Sequence, residues 1–205
     1  MESYITIKQY GTFEYEDRKS VFIGEALPVS TEKEALDFIE SVKKRYPDAR
    51  HHVYAYVLRD NSIMRFSDDH EPQGTAGMPV LDAIRKRGCT DAVIVVTRYF
   101  GGTLLGTGGL VKAYTEAALG ALKDANIIKY DVYSVFDITV SYSDHGKISS
   151  TLSELSFRTE EVSYREEVTI RGKIIKSNEQ IFEKKIADST SGRAKIEKID
   201  EKFDF

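Results

Sequence analysis

The sequence predicts an α+β protein of two domains, and three observations support this class. Residues 1–130 alternate short β-branched or aromatic segments with amphipathic helical segments. Residues 131–205 carry elements in the order βαββαβ, which is the ferredoxin-like arrangement. A chain of 205 residues is long enough for two compact domains. We therefore predict one domain over 1–130 and a second over 131–205.

The N-terminal half begins with a predicted strand over 20–29. The helix after it opens with a capping box, in which Thr31 and Glu34 exchange side-chain hydrogen bonds with backbone amides. This helix ends before Pro47, because the residue preceding a proline is disfavoured in the α conformation. A β-hairpin with its turn at Asp60-Asn61 follows.

The second predicted helix begins at Pro79, which suits a first helical position, and ends at Gly88. Residues 91–100, "DAVIVVTRYF", form a continuous β-branched run that is typical of a fully buried central strand. A glycine-rich stretch over 101–109 leads from this strand into a third helix, which ends near Asn126.

The C-terminal half begins with a strand over 135–142, in which apolar and polar residues alternate. The remaining elements are a helix through Ile148, Leu152 and Leu155, strands over 157–164 and 166–175, a helix opened by a capping box at Ser177 and Gln180, and a last strand over 194–200.

Composition narrows the class of function. The formal net charge of −4 lacks the basic excess of a typical nucleic-acid binder, so any contact with RNA requires a local patch. The single cysteine, Cys89, excludes an internal disulfide and indicates a reducing compartment. The acidic, β-like N-terminus differs from a secretory signal, and no apolar run reaches the roughly 20 residues of a membrane span. We therefore expect a cytoplasmic protein without a membrane partner.

The stretch "RYFGGTLLGTGGLVKAY", residues 98–114, contains five glycines between a predicted strand and a predicted helix. Amides at a helix N-terminus carry positive partial charge and suit a phosphate or a carboxylate. The P-loop pattern is not met, because Thr107 follows Gly106 where a lysine is required. The dinucleotide-binding pattern is not met either, because Val111 stands at its third glycine.

Two interpretations of this stretch remain open: a tight turn that lets a helix pack on a sheet, and a site for an anion or a nucleic acid. The flanking residues support the second interpretation. Aromatic rings stack on bases. A lysine in the first helical turn opposes the helix dipole, so it is unfavourable for helix stability and better placed to bind an anion. The candidate anion-binding residues are Arg98, Tyr99, Phe100, Gly106, Gly108, Gly109, Lys112 and Arg65.

The stretch "RFSDDHEPQGTAGMP", residues 65–79, is a second polar cluster. Its carboxylates are possible ligands of a metal ion or groups for acid–base chemistry. Their spacing, however, fits neither an EF-hand nor an H-E-x-x-H motif. We predict a structural turn in which carboxylates cap backbone amides, with no metal, no cofactor and no catalytic residue. The candidate polar site comprises Asp68, Asp69, Glu71 and His52.

Three stretches, "ARHHVYAYVL", "RFSDDHEPQGTAGMPVLDAI" and "VVTRYFGGTLLGTGGLVKAY", together resemble the IMPACT family, including its bacterial, YigZ-like members. The tail resembles the small ferredoxin-like domain of those members, which is similar to domains of elongation factor G. The resemblance implies a left-handed βαβ fold for the N-terminal domain, as in domain IV of elongation factor G and in the GHMP kinases. Two departures stand out: His70 replaces a glycine, so positive φ is not expected there, and Leu105 replaces a lysine.

The resemblance also implies a class of function. Eukaryotic relatives regulate translation, and bacterial members are associated with nucleic acid or ribosomes. We therefore predict a non-enzymatic, translation-associated protein that binds RNA or ribosomal phosphate, with a protein of the translation machinery as a further partner. The alternative is a small-molecule phosphate-binding enzyme or sensor that uses the glycine-rich turn and the acidic loop at 68–71; nothing in the residues argues for an enzymatic activity.

Overall fold

The computed structural model describes residues 3–59 and 63–205, so the predicted turn at Asp60-Asn61 lies outside the described residues. The chain forms two compact units, one over Tyr4–Lys129 and one over Tyr130–Phe205. Ser3 belongs to the second of these units. Each unit has a hydrophobic core of its own. None of the helices in the described part of the chain has the length and hydropathy that a bilayer crossing requires.

The first unit is built on a five-stranded antiparallel sheet in the order β2-β3-β6-β4-β5. Its elements are β1 (Tyr4–Ile7), β2 (Gly11–Asp17), β3 (Ser20–Pro28), α1 (Glu32–Arg45), β4 (His51–Leu58), β5 (Ile63–Ser67), α2 (Gly77–Lys86), β6 (Ala92–Tyr99) and α3 (Gly106–Asp124). Strand β6 is the predicted buried run, and it lies at the centre of the sheet.

Helices cover both faces of this sheet. Val93 and Val95 of β6 pack in a core with α1, whereas Ile94 and Val96 pack in a second core with α2 and α3. Alternation along the strand sends these side chains to opposite faces. Because both faces are covered, β6 has the uninterrupted apolar pattern of a fully buried strand.

The topology requires one left-handed crossover. Strand β6 pairs antiparallel with both β3 and β4, so β3 and β4 are parallel and α1 connects them. By the same reasoning β5 and β6 are parallel and α2 connects them. Rotating the sheet by 180° within its own plane gives the β5–α2–β6 crossover the same direction as the β3–α1–β4 crossover and exchanges neither face. The helices α1 and α2 nevertheless lie on opposite faces. They therefore have opposite hands, although about 98% of such connections are right-handed.

Several predicted boundaries differ from the observed ones. The capping box of α1 is confirmed, since the Thr31 side chain accepts from the Glu34 amide and the Glu34 carboxylate accepts from the Thr31 amide. Helix α2 begins at Gly77 rather than at Pro79, because a carboxylate from the preceding loop accepts hydrogen bonds from the amides at its start. Helix α3 likewise begins within the glycine stretch, at Gly106.

The second unit has the ferredoxin-like fold. Its elements are β7 (Ile127–Val140, beginning in the first unit), α4 (Tyr142–Glu154), β8 (Arg158–Tyr164), β9 (Val168–Ile175), α5 (Glu179–Thr190) and β10 (Lys195–Asp204). These strands are antiparallel in the order β10-β7-β9-β8. Alternate residues of β7 and β9 pack against the two helices around Phe136 and Phe182, as the period-two pattern predicts.

The predicted capping box at Ser177 and Gln180 is wrong. A 3-10 turn over Lys176–Asn178 precedes α5, which has no side-chain cap. The Glu179 carboxylate accepts hydrogen bonds from the Ser134 hydroxyl at 2.7 Å and from the Lys198 ammonium. These contacts hold the first residue of α5 against the sheet, so the helix begins without a local cap.

Candidate nucleic-acid interface

The turn between β2 and β3 presents two cations. Asp17 pairs with Ser20, which leaves Arg18 and Lys19 as a two-residue loop. Both loop residues have positive φ, 48° and 66°, as a type I′ hairpin turn requires. Asn-Gly is the favoured pair at such a turn, because glycine is unstrained and asparagine tolerates positive φ, whereas most other side chains cost about 1–2 kcal/mol each. The chain thus holds two basic residues where the backbone favours neither.

This hairpin tip packs directly on the glycine stretch. A Cβ on Gly101 would lie 2.0 Å from the carbonyl carbon of Lys19, so only glycine permits this approach of the two backbones. The Gly101 amide donates to the Ser20 hydroxyl at 3.1 Å, and the Arg18 guanidinium donates to the Leu104 carbonyl at 3.4 Å. The two basic residues therefore lie beside the loop that enters α3.

The N-terminus of α3 is open. Gly106, Thr107 and Gly108 are exposed, and the first turn contains no acidic residue. No side chain among the described residues caps the helix. First-turn amides have no partner within the helix, and the dipole of a 19-residue helix adds positive partial charge to them. Leu105, where the resemblance implies a lysine, is half-buried and packs against the core.

Gly108 has no packing reason to be glycine. Gly106 adopts φ of 74°, which favours glycine, but at Gly108 an added Cβ meets nothing within 4 Å. Lys112 lies one turn further along the same exposed face. Side chains of a helix lean toward its N-terminus, so a lysine at position 112 is directed toward the turn that contains Gly108. We call the set Arg18, Lys19, Phe100, Gly106–Gly109 and Lys112 the glycine-loop surface.

Arg98 lies elsewhere than predicted. It is only 6% exposed, and its guanidinium donates to the Glu71 carboxylate at 2.5 Å. The Tyr114 hydroxyl donates to the same oxygen at 2.8 Å, and burial beside this carboxylate raises the pKa of Tyr114. Arg98 shares a strand face with Ile94 and Val96, which point at α2 and α3, so alternation turns it inward. It joins the acidic loop to β6 instead of presenting a surface cation.

The two aromatic residues after Arg98 diverge. The Tyr99 hydroxyl donates to Asp48 at 3.0 Å, and its ring meets the edge of Tyr46, so this residue belongs to the α1 face. Phe100 is 50% exposed, with its ring centroid 5.6 Å from the Arg98 guanidinium carbon. Of the two aromatic residues, Phe100 has the ring that is available for stacking.

The acidic loop is engaged within the fold, as the structural interpretation predicts. The Asp68 carboxylate accepts from the amides of Gly74, Ala76 and Gly77 at 2.7–3.1 Å. It thereby replaces the missing cap of α2. With Glu71 bound by Arg98 and Tyr114, two of the three predicted carboxylates already have donors from the protein.

The remaining members of the predicted polar site are also structural. Asp69 accepts from the backbone amide of His52 at 2.6 Å, and the His52 ring donates to the Tyr46 carbonyl at 3.1 Å. His70 adopts φ of 68°, so the expectation that its backbone needs no positive φ is wrong. No group of three His, Cys, Asp or Glu residues within 3–59 and 63–205 is arranged to hold a metal ion.

Arg65 does not join the glycine-loop surface through any contact within the described residues. It lies on edge strand β5, separated from β6 by β4, and its guanidinium donates to the Met64 carbonyl at 3.1 Å. Cys89 is buried, and burial raises the pKa of its thiol to about 11, which keeps it protonated at neutral pH.

Comparison with known proteins covers both units. Residues 18–122 match the family model described as the Impact N-terminal domain, and residues 138–193 match a domain of unknown function, DUF1949. The chain is 36% identical over 197 residues to the IMPACT family member YvyE of Bacillus subtilis, covering 96% of this chain and 91% of that protein. It is 33% identical over 204 residues to YigZ of Escherichia coli, covering 98% and 100%.

One further relative matches part of the chain, and a solved structure matches nearly all of it. The protein IMPACT of Bos taurus is 31% identical over 94 residues, covering 44% of this chain and 30% of that protein. A solved structure described only as a hypothetical protein has 33% sequence identity and a TM-score of 0.60, with 98% of both chains covered. Every member of the glycine-loop surface lies inside the matched range 18–122.

Proposed function

The chain belongs to the IMPACT family, and from this premise we propose that it is a cytoplasmic, translation-associated protein that binds RNA or ribosomal phosphate through the glycine-loop surface. The observation that carries the proposal is the open N-terminus of α3, with exposed amides, no cap and no acidic residue in the first turn. Phosphate oxygens satisfy such amides and are attracted by the helix dipole.

Gly108 supports the same conclusion independently. Its bare backbone serves neither packing nor a positive φ, since the space above it is open. A side chain at this position would stand between an incoming phosphate and the amides of the first turn. A bare backbone at this position would allow the close approach of a ligand, which supports the proposal.

The cations around the helix start complete the surface. Arg18, Lys19 and Lys112 are exposed and lie beside the first turn of α3. A protein with net charge of −4 needs such a local concentration to attract a polyanion. The strained backbone at Arg18 and Lys19 is a further argument, because strain retained at a surface turn is typical of functional positions.

Phe100 adds a contact for bases. Its half-exposed ring follows β6 directly and precedes the glycine stretch. Stacking on an exposed aromatic ring is tolerant of sequence and contributes about 1–3 kcal/mol per base. The glycine-loop surface thus combines phosphate contacts with one stacking contact, which suits single-stranded RNA.

The alternative, a phosphate-binding enzyme or sensor, needs the acidic loop as its reactive partner. Asp68, Asp69 and Glu71 instead accept hydrogen bonds that fix α2, β4 and β6. Releasing them would uncap α2 and leave Arg98 unpaired within the core. This engagement favours the binding function over the catalytic one.

A salt titration of RNA binding tests the proposal. Affinity for a single-stranded oligonucleotide is measured by filter binding at several salt concentrations, for the wild type, Lys112→Ala and Lys123→Ala. Each lost phosphate contact lowers the log–log slope by about 0.7, so Lys112→Ala reduces both affinity and slope. Lys123 lies in the last turn of the same helix, and its substitution is the matched control.

Gly108→Ala provides the second arm. The added methyl group meets no neighbour, and alanine raises helix stability by up to about 1 kcal/mol. We therefore expect a variant that is at least as stable as the wild type and binds RNA more weakly. If Lys112→Ala and Gly108→Ala bind with unchanged affinity and slope, the proposed function is wrong.

A further inference from the structure

The buried ion pair between Arg98 and Glu71 lies against an exposed aromatic ring. The Arg98 guanidinium carbon lies over the Phe100 ring, 5.6 Å from its centroid, and over the Phe22 ring at 5.3 Å. Both distances are within the roughly 6 Å at which a cation attracts the face of a ring. Phe22 is fully buried, whereas Phe100 is 50% exposed. The guanidinium therefore connects the hydrophobic core to the ring of the glycine-loop surface.

Other groups of the protein hold this guanidinium in place. The Glu71 carboxylate accepts from it at 2.5 Å and from the Tyr114 hydroxyl at 2.8 Å. The rings of Tyr114 and Phe22 pack edge to face, with centroids 5.1 Å apart. Within the described residues, the buried Nε atom of Arg98 has no hydrogen-bond partner. The contacts of the guanidinium are thus one carboxylate and two ring faces, so Phe100 packs against a fixed group.

Stability alone does not explain why charged residues occupy these positions. The side chains of Arg98 and Glu71 are 7% and 4% exposed. Taking two charges out of water is costly, and apolar residues of similar volume in the same place are often at least as stabilising. A buried ion pair is therefore weak evidence for a role in stability. Its contact with an exposed ring indicates a role in holding that ring.

We propose that Arg98 and Glu71 are positioning residues, which hold the Phe100 ring in place to stack on an unpaired base of RNA. The inference rests on the proposed function, and through Glu71 it gives the acidic loop a part in binding. A ring that is fixed before binding loses little side-chain entropy when a base stacks on it. The face of a ring carries negative partial charge, which disfavours face-to-face stacking. A cation over one face attracts this charge and so favours a base at the other.

The first measurement is the affinity of the full chain for a short labelled oligouridylate at several salt concentrations. Phe100→Ala should weaken binding by about fivefold or more, because it removes a stacked base. A triple variant combines Glu71→Leu, Arg98→Met and Tyr114→Phe, which leaves none of the three polar groups buried without its partner. It should show most of the same loss. Adding Phe100→Ala to it should cause little further loss, because the ring and its supports act as a unit. The salt slope stays unchanged throughout, since no phosphate contact is removed.

The second measurement reports on the ring itself. The chain contains no tryptophan, so Phe100→Trp introduces a single fluorophore at the proposed stacking position. Its anisotropy before RNA is added should be lower in the triple variant, because the ring is then free to move. Its quenching by bound oligouridylate should be weaker there for the same reason. Val93→Ala is the structural control, since it opens the core on the other face of β6 and should change neither signal nor the affinity.

The outcomes separate this inference from the proposed function. Unchanged affinity in the triple variant, or unchanged anisotropy of the fluorophore, overturns the positioning role. A full further loss on adding Phe100→Ala overturns it as well, and so does an equal loss of affinity in Val93→Ala, which would trace the effect to stability. In each of these cases a lowered salt slope in Lys112→Ala leaves the proposed function standing. If Lys112→Ala and Gly108→Ala leave binding unchanged, the proposed function is wrong and the inference falls with it.

Discussion

Replacing Arg18-Lys19 by Asn-Gly should stabilise the protein and weaken its binding to RNA. Both residues have positive φ in the two-residue loop between β2 and β3. A left-handed backbone costs about 1–2 kcal/mol for a residue with a Cβ, less for asparagine and nothing for glycine. The exposed hydrogen bond from Arg18 to the Leu104 carbonyl is long, at 3.4 Å, and its loss offsets little. We expect a net gain of about 1–2 kcal/mol in the free energy of unfolding of the first unit.

The same change removes two cations from the glycine-loop surface. Two lost phosphate contacts lower the log–log salt slope for single-stranded RNA by about 1.4. Stability is measured by hydrogen exchange in peptides from β3 and β6, which report on the first unit alone. Binding is measured by the salt titration that tests the proposed function.

Arg18→Gln combined with Lys19→Gln separates charge from strain. This control removes both charges, so the log–log salt slope falls by about 1.4 as it does for Asn-Gly. It keeps a Cβ at both strained positions, so it gains no stability. The reasoning is refuted if Asn-Gly leaves protection of the first unit unchanged, since the turn is then unstrained. It is also refuted if Asn-Gly keeps the wild-type slope, since the hairpin then makes no contact with phosphate.

Two further predictions concern the interior of the first unit. Glu71→Leu leaves Arg98 buried without a counter-charge and should lower the free energy of unfolding by about 3–5 kcal/mol. Adding Arg98→Met to this variant should restore most of the lost stability, as measured by urea unfolding. If the effects of the two substitutions are additive, the residues are not a coupled pair. At pH 8, Cys89 should react with a disulfide reagent about a hundredfold more slowly in the folded chain than in urea, because folding raises its pKa from 9.0 to about 11. Equal rates would show that the thiol is accessible.

Much of the fold is encoded locally. The run over Ala92–Tyr99 predicts its own burial, and the capping box at Thr31 and Glu34 sets the start of α1. The order of elements in the second unit predicts the ferredoxin-like sheet. Helix starts that depend on distant groups were not predictable in this way. Helix α2 is capped by Asp68 across an intervening loop, and α5 is held by Glu179 against β7.

The candidate site shows the same division. The glycine stretch predicts an open helix start, and Phe100 is exposed beside it. The prediction that Arg98 is a surface cation is wrong, because strand alternation places it on the buried face of Ile94 despite its position next to the glycines. Arg18 and Lys19 carry no local signal, since their sequence lacks the usual turn residues. They reach α3 only through the pairing of β3 with β6.

The position of β6 has a consequence for synthesis. This strand is the last of the five to emerge in the nascent chain, yet it is the one that joins the β2–β3 hairpin to the β4–β5 hairpin. Until it has been made, each hairpin retains an unpaired apolar edge, which is a template for aggregation. The N-terminal unit therefore cannot fold progressively as its chain grows. It closes late, after β6 and then α3, which covers one face of the sheet, have left the polypeptide tunnel.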